Sequence, residues 1–355
     1  MRYFRSIFTA ICFFWSFSFA DPSYKVLGIG AAAVDLLIQV DDAFFAEHHL
    51  GGKGGSQLCT SELIDKIIEA SGSAPKIVPG GSCANTMRAL AKLGESAAYF
   101  SHIGTDKLGE HYGEHLRQGG VVDRLAKRPD LPTPRILCLI TPDGQRTFRA
   151  FDPPVHDIVL NSGHFEKVSL VHAEARQIRN GLSLQKALEY AKQAKAKISM
   201  DLSCFEIVRE YKEQLLFLLS EYVNIVFCNE DELVELVGLS GFEGCRKLAQ
   251  ICPIAVVTLG AKGCLIGHGE EIYSIPTFPA EVIDTTGAGD LFAAGFLYGY
   301  LQDFSLLDCA KVGHLLGSSV VEVIGAELPQ QKWEEIRARV MHYSENSSQN
   351  SGGLL

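Results

Sequence analysis

Residues 284–301 read DTTGAGDLFAAGFLYGYL, and the change of character at Asp290 organises the whole chain. Before it stand Gly287, Ala288 and Gly289; after it runs an apolar stretch, 291–301, with the composition of a helix. Two glycines let backbone N–H groups converge on an anion, and the helix N-terminus behind them adds a positive partial charge. A carboxylate at that point would repel a phosphate that merely binds. It makes sense if the acid takes a proton from an attacking hydroxyl while the N–H groups stabilise the transferring phosphoryl. The plainer alternative is a glycine-rich turn in which Asp290 caps the helix.

Outward from this loop the chain alternates strands and helices. Apolar runs at 25–30, 97–103, 170–173, 197–202, 224–227, 254–259, 263–267 and 271–275 read as strands, the last two antiparallel. Stretches at 61–70, 85–93, 182–196, 213–219 and 310–323 read as helices. That rhythm predicts an α/β fold with a mostly parallel sheet covered on both faces. The extended runs 36–40, 135–140 and 146–151 break it. The latter two flank Thr141-Pro142-Asp143-Gly144, a hairpin signal. Together they predict a small separate sheet, a natural lid, with strands from about 36–50 and 133–152. The Ser/Asn/Gly-rich segment 344–355 is expected to fray as a flexible tail.

The bulk properties set limits. The 355 residues, 47% of them hydrophobic, allow one large α/β domain with an appendage or two modest domains. The net charge of -10 argues against a nucleic-acid partner. Ten scattered cysteines, without a C-x-x-C, read as reduced core thiols rather than disulfides or a zinc site. The leader 1–20 conflicts with that. It has two arginines, an apolar run at 6–19 and a small-x-small Ser18-Phe19-Ala20, the shape of a signal peptide. It is too short for a membrane span, so no stable membrane association is expected. An over-extended start or an uncleaved leader reads equally well; the cytoplasm is favoured and export stays open.

Other motifs are ambiguous one at a time. Gly80, Gly81 and Asn85 lead into a helix and permit close approach to a polar ligand, but also suit a simple helix start. Asn229 and Glu232 follow a strand. Glu232 could hold Mg²⁺ through water, and the pair is also a good capping box. Asp35 closes the first strand region, where a carboxylate can take two hydrogen bonds from a vicinal diol. Thr258 and Gly260 lie in what is otherwise an ordinary turn. Three decoys are set aside. Gly28 to Ala33 matches G-x-G-x-x-A but leads into an extended run; Lys53 lacks a following Ser or Thr; His111 and His115 read as surface residues without a third ligand.

Taken together, these motifs resemble the ribokinase-like (PfkB) sugar and nucleoside kinases. The resemblance rests on residues 80–94 and 284–290 and spans about 25–325. It implies a three-layer α/β/α domain, about 25–330, with a small β-sheet lid. It implies ATP and Mg²⁺, and a hydroxyl of a sugar or nucleoside as acceptor. It also implies roles at matching positions: Asp290 as base; Gly287, Ala288 and Gly289 as anion hole; Asp35, Gly80, Gly81 and Asn85 for the acceptor. Asn229, Thr258, Gly260 and Arg146 would serve the nucleotide, and Glu232 the Mg²⁺. Asp284, with backbone near Val323 and Gly325, could hold a monovalent cation such as K⁺. Residues 40–44, 141–146 and 287–299 look closest to bacterial adenosine-kinase-like members. Sugar kinases remain the alternative, and a non-catalytic binding protein is disfavoured because Asp290, Asn85 and Glu232 are all present. A monomer or homodimer is expected.

Overall fold

Along β1 (Val26–Ile29), Val26 belongs to one hydrophobic cluster and Leu27 to another. Ile225 and Val226 divide in the same way, as do Ile254 and Ala255. Successive strand side chains point to opposite faces, so these near-continuous apolar runs need a cover on each side. The computed structural model describes residues 23–350, apart from 49, 51–52, 144, 154 and 156–159, and supplies those covers as two layers of helix. The leader 1–20 lies outside the described residues.

The strands in chain order are β1, β2 (Val34–Gln39), β3 (Ser56–Leu58), β4 (Lys76–Pro79), β5 (Ala97–Gly104), β6 (Val122–Arg128) and β7 (Arg135–Ile140). Then follow β8 (Arg146–Phe151), β9 (Leu170–Glu174), β10 (Lys197–Asp201), β11 (Ile225–Asn229), β12 (Ile254–Thr258), β13 (Cys264–His268) and β14 (Glu271–Ile275). Nine form the large sheet, in the order β14-β13-β12-β11-β10-β9-β1-β5-β6. It is parallel from β12 to β6, and β13 and β14 turn antiparallel at one edge, as expected. Strand order reverses at β1, between β9 and β5. Such a switch point opens a crevice at the carboxyl ends of the strands.

The second sheet runs β3-β8-β7-β2-β4. The β7–β8 hairpin and β2 are as expected, with β2 parallel to β7. β3 and β4 were not foreseen: β3 is three residues long, and β4 is largely exposed and carries no clean alternation. The segment expected to continue β2 instead turns into the short helix Asp42–Glu47, capped by Asp41. Lys53, from the rejected Gly-Lys motif, pairs with Asp42 at 2.6 Å and with Asp143 of the hairpin turn at 2.8 Å.

The last helix runs Gln330–Asn350, so residues 344–350 of the expected tail are helical. Among the described residues no helix is long and apolar enough to cross a membrane. The nine cysteines of the described residues are free thiols.

Candidate active site

The loop 284–287 feeds the helix Ala288–Leu301. Gly287 is its N-cap, with φ +79°, and a Cβ there would lie 2.6 Å from that of Ala326. Only glycine suits both demands. Asp290 is therefore not the cap. It is the third residue of the helix, in the first turn, and its side chain bonds across to the neighbouring helix rather than to its own N–H groups. Its partners lie on the helix Ser82–Lys92 opposite: Ser82 Oγ donates to Oδ1 at 2.6 Å and Asn85 Nδ2 to Oδ2 at 2.7 Å. Thr86 Oγ1 donates to its carbonyl at 3.1 Å. Burial raises the Asp290 pKa; the bonds from Ser82 and Asn85 and the charge of Arg88 oppose that rise.

The N-terminal glycines hold the opposing helix close. Gly81 has φ +99°, and a Cβ on it would meet the Ala31 carbonyl at 2.5 Å. A Cβ on Gly80 would come within 2.9 Å of Asp35 Oδ2. Asp35, on β2, thus stands against the glycine pair that starts the Ser82–Lys92 helix. Burial lifts its pKa to about 6, with the Arg146 charge pulling the other way. Arg146, at the start of β8, spans from the small sheet to the loop. It donates to Thr286 Oγ1 at 3.2 Å and faces Asp284 Oδ2 at 3.4 Å.

Asp284 is fully engaged. Its Oδ1 accepts from Thr286 N (3.0 Å) and Oγ1 (2.7 Å), and its Oδ2 from Gly325 N (2.9 Å). Burial alone would raise its pKa, but these bonds and Arg146 hold it below the usual carboxylate range. Gly325 does come to Asp284, but through its N–H and not its carbonyl.

On the other side of the loop lies a cavity of about 580 Å³. Thr258 and Gly260 border it together with Ala288 and Gly289, and Phe278 and Phe292 supply apolar wall. No atom lies within 4 Å of a Cβ built on Gly289, so the cleft is open there. An apolar chamber ending on a glycine turn and a helix N-terminus fits a nucleotide, base inward and phosphates at the turn.

Asn229 pairs in register with Thr258, but with Glu232 it forms the capping box. Glu232 Oε2 accepts from Asn229 N and Oε1 from Asn229 Nδ2, while Asn229 Oδ1 accepts from Glu232 N, all at 2.9 Å. Glu232 is 5% exposed, and burial raises its pKa to about 7. Among the described residues no three His, Cys, Asp or Glu side chains converge on a metal position. The donor set fits a Mg²⁺ held by phosphates and water, with Glu232 at one remove.

Several residues were missed by the sequence reading. Ser82 stands inside the stretch 80–94. Glu174 ends β9, buried, and accepts from Ala31 N (3.2 Å) and Cys83 N (2.7 Å); a charge closing an apolar strand at the carboxyl edge was the available signal. Asp201, in the same position on β10, has its pKa raised by burial and by Glu232 and Asp290. His115 is not a free surface residue. It is drawn to Glu327 at 3.0 Å, beside Arg88.

The sequence profile of the pfkB family carbohydrate kinases matches residues 60–333. The chain belongs to the pfkB family. Relatives of this kinase include a nucleoside kinase of Methanocaldococcus jannaschii, 28% identical over 264 residues (74% of this chain and 85% of that one). Another is fructokinase-1 of Oryza sativa, 29% identical over 287 residues (73% and 87%). The crystal structure of adenosine kinase from Sinorhizobium meliloti is 30% identical and superposes with a TM-score of 0.78, covering 89% of this chain and 99% of that one. The pfkB kinase is thus a phosphotransferase with an alcohol group as acceptor. Membership carries the use of ATP.

Proposed function

We propose that this kinase transfers the γ-phosphoryl of ATP to a primary hydroxyl of a nucleoside, with adenosine favoured. The observation that carries this reading is the position of Asp290, between the Gly287–Gly289 turn and the helix that bears Ser82 and Asn85. Each of its carboxylate oxygens receives one donor, which leaves a lone pair for an acceptor O–H. The hydroxyl oxygen attacks the γ-phosphorus and its proton passes to Asp290. The bond to the bridging oxygen breaks and ADP leaves, while the N–H groups of Gly287 and Gly289 face the charge on the phosphoryl; that of Ala288 is given to the Thr285 carbonyl at 3.2 Å and would have to leave it to join them. Arg146 adds a cation from the lid side. Asp35, with Gly80, Gly81 and Asn85, would hold the ring hydroxyls. Mg²⁺, when bound, would neutralise phosphate charge, with Glu232 reaching it through water. A monovalent cation at Asp284 would compete there with Arg146, and a KCl titration of the rate tests it.

Likeness to an adenosine kinase and to a nucleoside kinase supports the nucleoside reading. Likeness to fructokinase supports the alternative, a sugar kinase. Turnover of adenosine, ribose and fructose with ATP decides between them. On our reading adenosine leads, and 2′,3′-dideoxyadenosine binds far more weakly, each lost charge-assisted hydrogen bond costing about 1.5–3 kcal/mol. A preference for fructose or ribose over every nucleoside moves the protein to the alternative. We also place the working enzyme in the cytoplasm, where ATP is abundant and thiols stay reduced. N-terminal sequencing of fractionated protein tests that, and an exported chain starting at Asp21 would overturn it.

A further inference from the structure

The hydrogen-bond chain that begins at Asp290 continues away from the cleft. Asn85 gives Nδ2 to Asp290, and its Oδ1 accepts from Arg88 Nη2 on the same helix. Arg88 is 8% exposed. Its Nη1 is held from the far side by Glu327 at 2.8 Å, and the same nitrogen contacts His115 Nε2. A primary amide can turn end for end. A reversed Asn85 would set its oxygen against the Asp290 carboxylate and its NH₂ against the guanidinium. Arginine has donors only, so it admits one orientation of Asn85, the one that donates to Asp290.

We propose that Arg88 is the positioning residue of the phosphoryl-transfer base, fixing through Asn85 the orientation of the Asp290 carboxylate. This rests on the reading of Asp290 as the base. Arg88 lies within the stretch 80–94, three residues past Asn85, and no role was read for it from the sequence. The guanidinium also acts by charge. Three buried or partly buried acidic groups face Asp290 from other elements or from the helix start: Glu174, Asp201 and the Cys83 thiol. The Asp290 carboxylate raises the pKa of all three; its own ionisation is opposed by burial and favoured by Ser82 and Asn85 together with Arg88. Around Arg88 itself stand Tyr112, His115 and Glu327. Glu327 is largely solvent-facing, with its side chain 64% exposed, so water screens its hold on Arg88 more than it screens the buried Asn85 side.

The test is a pH profile of kcat for wild type, Arg88→Gln, Arg88→Lys, Asn85→Ala and the Asn85→Ala/Arg88→Gln double variant. It uses ATP and whichever of adenosine, ribose or fructose turns over best. Arg88→Gln is expected to lower kcat about 10–100-fold, the usual range for losing a residue that orients a reacting group. KM for both substrates should stay within about threefold, and the acid limb should move to higher pH. Arg88→Lys keeps the charge and loses the planar fork; its kcat falls less and its acid limb stays in place. Because Arg88 orients the carboxylate through Asn85, the double variant should be no slower than Asn85→Ala alone on the pH plateau, where the charge of Arg88 no longer decides whether Asp290 is ionised. Wild-type kcat and acid limb in Arg88→Gln, a rise in KM at constant kcat, or additive losses in the double variant would each overturn the proposal. If Arg88→Gln does not fold, Arg88→Lys decides, and wild-type kcat there overturns it. Asp290→Asn separates the two readings. An active Asp290→Asn defeats both, while an inactive one beside a normal Arg88→Gln defeats only the role of Arg88.

Discussion

Arg146 and Thr286 lie 140 residues apart in the chain, and their guanidinium and hydroxyl are 3.2 Å apart. The contact ties the small sheet to the loop before Asp290. Arg146 is partly exposed, so its pairing with Asp284 contributes under about 1 kcal/mol to stability. Its weight should fall on the nucleotide. Arg146→Ala is expected to melt within about 3 °C of wild type. Its kcat/KM for ATP should fall about 10–100-fold, the loss of one charge-assisted hydrogen bond. An unchanged kcat/KM would remove Arg146 from the phosphate site.

Asp290→Asn keeps the shape and both neighbours. The new amide oxygen can accept from Asn85, and its NH₂ can donate to the Ser82 hydroxyl. What it cannot do is take a proton. The expected fall in kcat is about 10²–10⁴-fold, with ATP affinity and melting temperature nearly unchanged. Steady-state kinetics beside a thermal melt check this, and turnover near wild type would end the case for the base.

The two glycines of the loop should respond oppositely to alanine. Gly287→Ala meets a left-handed backbone and the Ala326 methyl, and should lose about 1–3 kcal/mol of stability. Gly289→Ala meets nothing within 4 Å and replaces glycine inside a helix, which favours the fold by about 0.5–1 kcal/mol. Yet its methyl stands in the open cleft beside the turn. The expected result is a melting temperature at or above wild type with a reduced kcat. Full activity in Gly289→Ala would show that the phosphoryl does not use this turn.

Glu174 gives the fold a pH dependence of unusual sign. Burial lifts its pKa from 4.5 to about 7, against the N–H bonds from Cys83 and Ala31. Between those values the folded chain holds a proton that the unfolded chain has released. Stability is therefore greatest below about pH 4.5 as far as this group is concerned, and declines as pH rises to about 7, by an amount on the order of 3 kcal/mol. Urea midpoints from pH 5 to 8 should fall, and Glu174→Gln should flatten the slope. A slope identical in the variant would assign the effect elsewhere.

The large sheet was legible because its strands are buried on both faces and read as unbroken apolar runs between glycines. β6 escaped for the opposite reason. It is an edge strand with Asp123, Arg124, Lys127 and Arg128 in seven residues, half-buried except for the exposed Lys127. β3 and β4 draw their shape from partners far along the chain, β8 and β2, rather than from their own pattern. In the site, residues in glycine-marked loops could be found, because a glycine pair before a helix has a local physical reason. Glu174 and Asp201 offered only a charge closing an apolar strand, and Arg88 offered nothing, since it lies among ordinary neighbours in the chain. Each matters only once the fold sets it beside Asp290. The His115 misreading has the same source, because its partner Glu327 is 212 residues away.

β1 is the first of the described strands to leave the ribosome and the one that waits longest for its second neighbour. Its neighbours are β5, beginning at Ala97, and β9, beginning at Leu170. While more than a hundred further residues are being made, Val26–Ile29 has a free edge on the β9 side and uncovered faces. An apolar strand waiting that long is a surface on which a nascent chain can pair wrongly. Refolding of the full chain should accordingly be slow for its size, and yield in a cell should depend on holding factors that cover the first hundred residues until β9 arrives.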